Sequence, residues 1–205
     1  FIVELRQALD AAGHTDAEIS IAGPAVNYAG SDGLLELDLG ALLGSADIFF
    51  VMGYDYFWSG SANAGPTGML WLDTFWRTYQ SYSMLRSVAD YTTGLSTAQR
   101  AKLVWGVPYY GHEWITTTDQ PAASVVEHVG SVTYTSAREQ LAAGRTRLWN
   151  DGAKTPWYAW QANGWHQVYY DDEVSLAAKY ELVLEQHLGG VGMWALGYDG
   201  SHPEL

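Results

Sequence analysis

The chain has 205 residues, of which 48% are hydrophobic and 16% charged, enough for a buried core and too apolar for a disordered chain. Ten Lys+Arg against 23 Asp+Glu give a formal net charge of -13, which argues against a nucleic-acid footprint and against docking on an anionic membrane. There is no cysteine, which excludes disulfides and thiolate chemistry but leaves the compartment open, and no apolar run reaches the ~18 residues of a membrane span. Ten Trp and fourteen Tyr are more than a core of this size asks for, and the surplus suits flat, rigid ligands such as sugar rings.

The first predicted element is a helix: Phe1, Leu5, Ala8, Leu9 and Ala12 fall on one face and Gly13 is a good stop. Residues 17–27, AEISIAGPAVN, read as a strand, and 33–44, GLLELDLGALLG, as a helix. Residues 46–58, ADIFFVMGYDYFW, open as a buried strand and then present Asp55 among aromatics, a costly place for a carboxylate without hydrogen-bond donors. A loop rich in Ser, Gly, Ala and Asn follows, and the aromatic spacing over 71–94 predicts one long helix. Residues 101–111, AKLVWGVPYYG, read as a third strand of the same kind.

The segment 112–170 is mixed. SVTYTSAREQLAAG predicts a strand and a short helix starting near Thr135 or Ser136, and RTRLWND and WHQVYYDD predict further strands. Residues 172–188 form a helix capped by Asp172, and 189–200, GGVGMWALGYDG, a fourth buried strand. SHPEL then has the Ser201-to-Glu204 spacing of a capping box with Pro203 in its first turn. A helix entered without an N-cap at one end and a helix begun at the other read as the ends of a fragment, with frayed natural termini as the alternative.

Apolar strands alternating with helices imply parallel βαβ units, in an open doubly wound sheet or a (β/α)₈ barrel. No glycine-rich fingerprint follows the first strand, so a dinucleotide site is unsupported. Three strands finish in polar and aromatic residues (MGYDYFW, VPYYGHEW and MWALGYD), and barrels collect functional groups at strand C-termini. That favours the barrel, of which four units would be about half, since a full barrel takes about 250 residues.

Those strand ends resemble glycoside hydrolase family 18, the chitinase family. Met52, Tyr54 and Asp55 match the Met-x-Tyr-Asp pattern of its sixth barrel strand, and Tyr110–Gly111 the Tyr-Gly pair of the seventh. Trp194 matches the Trp of the eighth, and YYDDEVSLAAKY resembles the run before the last helix. The resemblance covers nearly the whole chain and implies an α/β TIM barrel, here strands five to eight, with 112–170 as an α+β insertion. It implies no cofactor and no metal. Tyr54 and Asp55 would hold the substrate's N-acetyl group under its own anomeric carbon, because this family uses its substrate as nucleophile. Met52 would pack under the sugar, Trp194 stack on it, Tyr110 hydrogen-bond beside it, and Trp58 extend the surface. Many members carry Arg after the Tyr-Gly pair; this chain carries His112, which can donate a hydrogen bond but lacks the bidentate fork.

Each position also has a structural reading. Asp55 could be a turn carboxylate, Trp194 and Tyr110 packing residues, and His112 a surface residue. Trp58, Trp71, Trp114, Trp157 and Trp160 could be outer subsites, but each suits core or surface packing better. Asp171, Asp172 and Glu173 look like a metal cluster but are better explained by a helix cap. The family's proton donor is the Glu of an Asp-x-x-Asp-x-Asp-x-Glu motif, and no such motif occurs in this sequence. By resemblance it would lie just before Phe1. The expectation is therefore a hydrolase of β-1,4-linked N-acetylglucosamine polymers, chitin or peptidoglycan-type glycans, inactive as this chain alone. The substrate class places it outside the cell or on its surface. The alternative is a lectin-like member that binds without cleaving. Four βα units would leave sheet edges open, so the missing half, or a second copy, is the expected partner.

Overall fold

The computed structural model describes residues 1–26 and 37–205. Its centre is a four-stranded sheet of order β1-β2-β3-β9 with every pairing parallel. The strands are β1 (Ser20–Gly23), β2 (Ile48–Val51), β3 (Leu103–Pro108) and β9 (Gly190–Trp194). They are the four strands expected from sequence, each shorter than its apolar run; β3 is largely buried and β2 buries alternate residues, whereas β1 buries only Gly23 and β9 none of its residues. Helix α1 (Ile2–Ala11) precedes β1, and α2 (Leu39–Ser45), α3 (Met84–Thr92), α4 (Thr97–Arg100) and α6 (Glu173–Glu185) run between the strands. Residues 27 and 33–36 of the expected first strand and second helix lie outside the described residues.

The core sits on the helix side of this sheet. Phe49, Val51, Leu103, Trp105 and Val107 alternate inward, and Met84, Val88 and Tyr91 of α3 and Leu176, Leu182 and Val183 of α6 cover them. The helix starts follow local chemistry. Ser83 accepts from Arg86 N to start α3, Ser96 and Gln99 form a capping box on α4, and Asp172 with Ser175 forms one on α6. Helix α1 buries none of its residues fully, and Arg6 ties it down by donating to Asp47 Oδ2 and to the Ala17 carbonyl, each at 2.7 Å.

A second sheet lies between β3 and α6. It is antiparallel, of order β5-β4-β8-β7-β6, from β4 (Tyr110–Thr116), β5 (Val125–Thr133), β6 (Leu148–Asn150), β7 (Thr155–Gln161) and β8 (Trp165–Tyr169). Helix α5 (Tyr134–Ala142) packs on it around a smaller core of Val132, Tyr134, Ala137, Tyr158, Val168 and Tyr170. Neither sheet closes into a barrel among the described residues.

Three sequence expectations need correction. Residues 71–94 are not one helix: a single 3₁₀ turn, Trp76–Thr78, precedes α3. Side chains compete for the backbone there, with Asp73 Oδ1 accepting from Trp76 N and Gln80 Oε1 from Ser81 N and Tyr82 N. The strand expected over 101–111 ends at Pro108, and Tyr110 opens β4 of the other sheet. Residues 201–205 form turns, not a helix start, because Glu204 accepts from the Tyr134 hydroxyl at 2.9 Å instead of folding back on Ser201. Strand β7 has no counterpart in the sequence reading.

Candidate active site

Strand β2 ends at Val51 and the chain turns sharply. Gly53 N donates to the Val51 carbonyl and Tyr54 N to the Met52 carbonyl. A Cβ on Gly53 would meet the Trp105 indole and the Gly106 carbonyl, so glycine is required there. Asp55 follows with φ of 60°, the left-handed region that Asp enters more readily than most residues. Its flanks enforce the turn. Tyr56 and Phe57 are buried, the Tyr56 hydroxyl donates to Ser87 Oγ at 3.0 Å, and the Phe57 ring packs edge-on against Trp76. A left-handed non-glycine residue held by buried neighbours is a common functional-site feature.

Strand β4 brings the partners of Asp55. The Tyr110 hydroxyl donates to Asp55 Oδ1 at 2.6 Å, and His112 Nε2 lies 3.2 Å from the same oxygen. Tyr110 and His112 are 7% and 6% exposed, whereas the Asp55 side chain is 46% exposed. A solvent-facing carboxylate is thus held from behind by two buried donors. Burial, then the bond to Asp55, pushes the Tyr110 phenol well up, and burial and the Asp55 charge push Tyr54 up, so both remain donors at neutral pH. The two tyrosine rings meet edge-on with centroids 6.1 Å apart. Gly111 between Tyr110 and His112 is forced, because a Cβ there would run into the Tyr169 carbonyl of β8.

Met52 is half-buried at the end of β2. Trp194 ends β9 opposite Pro108, its carbonyl accepts from Tyr109 N at 2.9 Å, and its side chain is 54% exposed. The Trp194–Ala195 peptide is cis. Strand pairing thus brings Trp194 to the same sheet end as Tyr110. Trp58, 55% exposed, stands three residues beyond Asp55 in the loop. Tyr54, Asp55, Tyr110 and His112 form one connected cluster.

Sequence reasoning missed two residues. His128 on β5 lies behind His112, with Nε2 3.1 Å from His112 Nδ1. The Tyr198 ring meets Tyr110 edge-on at 6.4 Å. Tyr198 lies in the GYD run already singled out, but nothing in the sequence marks His128. The Asp171–Glu173 run holds no metal site: Asp172 caps α6, and Asp171 pairs with Lys179 inside the core. Among the described residues no group of three His, Asp or Glu side chains could hold a metal ion, and no helix is long and apolar enough to cross a membrane. Trp71 is 45% exposed, Trp114 and Trp157 are buried, and Trp160 is half-buried, stacked on His166.

Comparison with known proteins gives a consistent result. Chitinase B of Serratia marcescens is 29% identical over 133 residues, covering 51% of this chain and 26% of that protein. Human di-N-acetylchitobiase is 26% identical over 178 residues, covering 76% of this chain and 43% of that protein. The chain therefore spans less than half the length of either relative. A Cycas revoluta family 18 chitinase solved in complex with (GlcNAc)3 superposes with a TM-score of 0.81 at 18% identity, covering 97% of this chain and 58% of that one. The model of glycosyl hydrolases family 18 matches residues 1–199. This chain, with its Tyr-Asp turn braced by the Tyr-Gly strand, belongs to glycosyl hydrolase family 18.

Proposed function

We propose that this chain supplies the substrate-positioning part of a hydrolase acting on β-1,4-linked N-acetylglucosamine polymers. One observation carries the reading: Asp55 is fixed by a left-handed turn and two buried donors, yet faces solvent at the end of a parallel sheet. In this reading Tyr54 and Asp55 bind the N-acetyl group and hold its oxygen under the anomeric carbon. Bringing a nucleophile to its target in this way can remove several kcal/mol of barrier. As positive charge spreads over the resulting oxazolinium-like ring, the Asp55 carboxylate stabilises it. Tyr110 keeps Asp55 in place, His112 adds a second donor, Met52 lies under the sugar, and Trp194 and Trp58 offer stacking faces.

The four parallel strands would be strands five to eight of a barrel, and Tyr110–Tyr169 the insertion between the seventh strand and its helix. The exposed Val191, Met193, Trp194 and Leu196 on and beyond β9 fit a surface completed by the rest of the barrel. The acid that protonates the leaving oxygen is not among these 205 residues, which contain no Asp-x-x-Asp-x-Asp-x-Glu motif. The 205-residue chain alone is therefore inactive, and its partner is the remaining barrel half. A polymeric glycan substrate places the protein outside the cell or on its surface.

The test is hydrolysis of a chromogenic di-N-acetylchitobioside by the full-length protein. Turnover that disappears in Asp55→Asn supports the reading. A folded full-length protein that carries the motif glutamate and cleaves no N-acetylglucosamine glycan overturns it. Binding without cleavage, with another residue in place of that glutamate, would make the protein a lectin.

A further inference from the structure

The His112–His128 contact arises from a specific irregularity. Along β4, alternation puts Tyr110, His112 and Trp114 on one face and Glu113 on the other, where Glu113 accepts from His166 Nδ1 at 2.8 Å. On β5, Ser131 pairs with His112 and Gly130 with Glu113, so Val129 is next in line for Trp114. The register shifts there, and Trp114 pairs with His128 instead. The extra residue is Val129, 48% exposed beside Gly130. Without this bulge His128 would face away from His112. Bulges that re-aim one side chain cluster beside active sites.

The hydrogen-bond roles then follow in one direction. A carboxylate only accepts, and Asp55 Oδ1 already takes the Tyr110 hydroxyl, so His112 Nε2 must carry the hydrogen it shares with that oxygen. In a neutral imidazole this leaves Nδ1 as an acceptor, and His128 Nε2 must donate to it. We infer that His128 is a positioning residue: it fixes the ring and tautomer of His112 so that Nε2–H faces Asp55. Adding one proton to the pair is compatible with the geometry, because a single hydrogen still lies between Nδ1 and Nε2. Adding a second sets two N–H groups against each other at 3.1 Å.

The surroundings agree. Asp55 faces His112 from the loop after β2, and the Trp114 ring of β4 meets His112 at 5.5 Å and His128 at 6.2 Å. The Tyr110 ring meets His112 edge-on at 5.6 Å, and the Tyr54 and Tyr198 rings meet Tyr110 in turn. Glu127 is exposed next to His128 on β5, and Glu113 is turned to the other face by His166. Burial, and then the charge of His112, hold the His128 imidazolium down.

This inference rests on the reading of Asp55 as the group that orients the N-acetyl oxygen, but its first test needs no turnover. Ring-nitrogen NMR of the full-length, histidine-labelled protein across about pH 5 to 8 reports tautomer and protonation of each ring. The expected result is His112 in its Nε2–H form, with its Nδ1 accepting from His128 Nε2–H. His128→Phe should let the Nδ1–H form of His112 appear and lower kcat roughly three- to tenfold, the effect of one lost hydrogen bond. His128→Gln, whose amide can still donate to Nδ1, should restore both. The inference is overturned if wild-type His112 is Nδ1–H, or if His128→Phe changes neither tautomer nor kcat. Should the Phe variant fail to fold, the wild-type spectra and the Gln variant decide. A protein that shows this tautomer pattern but cleaves nothing would sink the glycosidase reading and leave the positioning role of His128 standing.

Discussion

Asp55 and Asp171 are two carboxylates in opposite settings. Asp171 is 2% exposed, bonded to Lys179 Nζ and accepting from Ser175 Oγ at 2.6 Å. Lys179 is 1% exposed, and the pair ties the start of α6 to its second turn. Burial pushes the Asp171 carboxyl up and the Lys179 ammonium down, each against the pull of the other. Asp55 instead keeps nearly half its side chain in solvent, on a strained backbone, with its donors behind it. A buried carboxylate matched to a cation on the helix that follows it holds the frame. An exposed carboxylate matched only to neutral or titratable donors has charge left for something that arrives from solvent.

That contrast can be broken by substitution. The largest stability effect is expected at the buried pair. Lys179→Met should cost about 3–5 kcal/mol in denaturant unfolding of the full-length protein, because it strands a buried carboxylate. Adding Asp171→Leu to it should recover most of the loss, since the desolvated charge then disappears as well. If the single variant unfolds like wild type, Asp171 is not a structural carboxylate.

Asp55→Asn should do the reverse. It should lower kcat of the full-length protein by roughly 10²–10³, in line with loss of one electrostatic stabiliser of a transition state. Its unfolding midpoint should stay near the wild-type value, because the group is exposed. An equal loss of stability and activity would return Asp55 to the status of a turn carboxylate.

Tyr110→Phe removes the closest donor to Asp55 and nothing else. Hydrogen bonds to charged groups are worth about 1.5–3 kcal/mol, so kcat/KM should fall by about ten- to a hundredfold. Gly111→Ala tests the same strand through its backbone. The methyl would push β4 away from the Tyr169 carbonyl, with an expected cost of about 1–3 kcal/mol. Thermal unfolding measures it, and an unshifted Tm would mean that the two strands can separate without loss.

Much of the frame is legible in the sequence. The runs AEISIAG, IFFVMG, KLVWGVP and GGVGMW each hold a strand of one parallel sheet, because apolar residues on both faces leave little else for a short segment to be. Asp172 was legible as a cap, since an acid immediately before a helical run satisfies its first backbone N–H groups. The 71–94 segment misled because aromatic spacing is also met by a turn that buries Trp76 alone, with Nε1 donating to Asn150 Oδ1 at 2.9 Å. Strand β7, TPWYAWQ, escaped because its burial does not alternate.

The site divides in the same way. Local sequence determined that Asp55 follows Gly53 and Tyr54 at the end of a buried strand, and that Tyr110–Gly111 follows another. Both are matters of a few adjacent residues and of a glycine that the backbone demands. Only the tertiary structure decided that Tyr110 and His112 close on one oxygen of Asp55, since they come from different sheets and no pattern along the chain sets that distance. Only the bulge at Val129 decided that His128 stands behind His112, because a shift of one residue turns a strand's side chains to its other face.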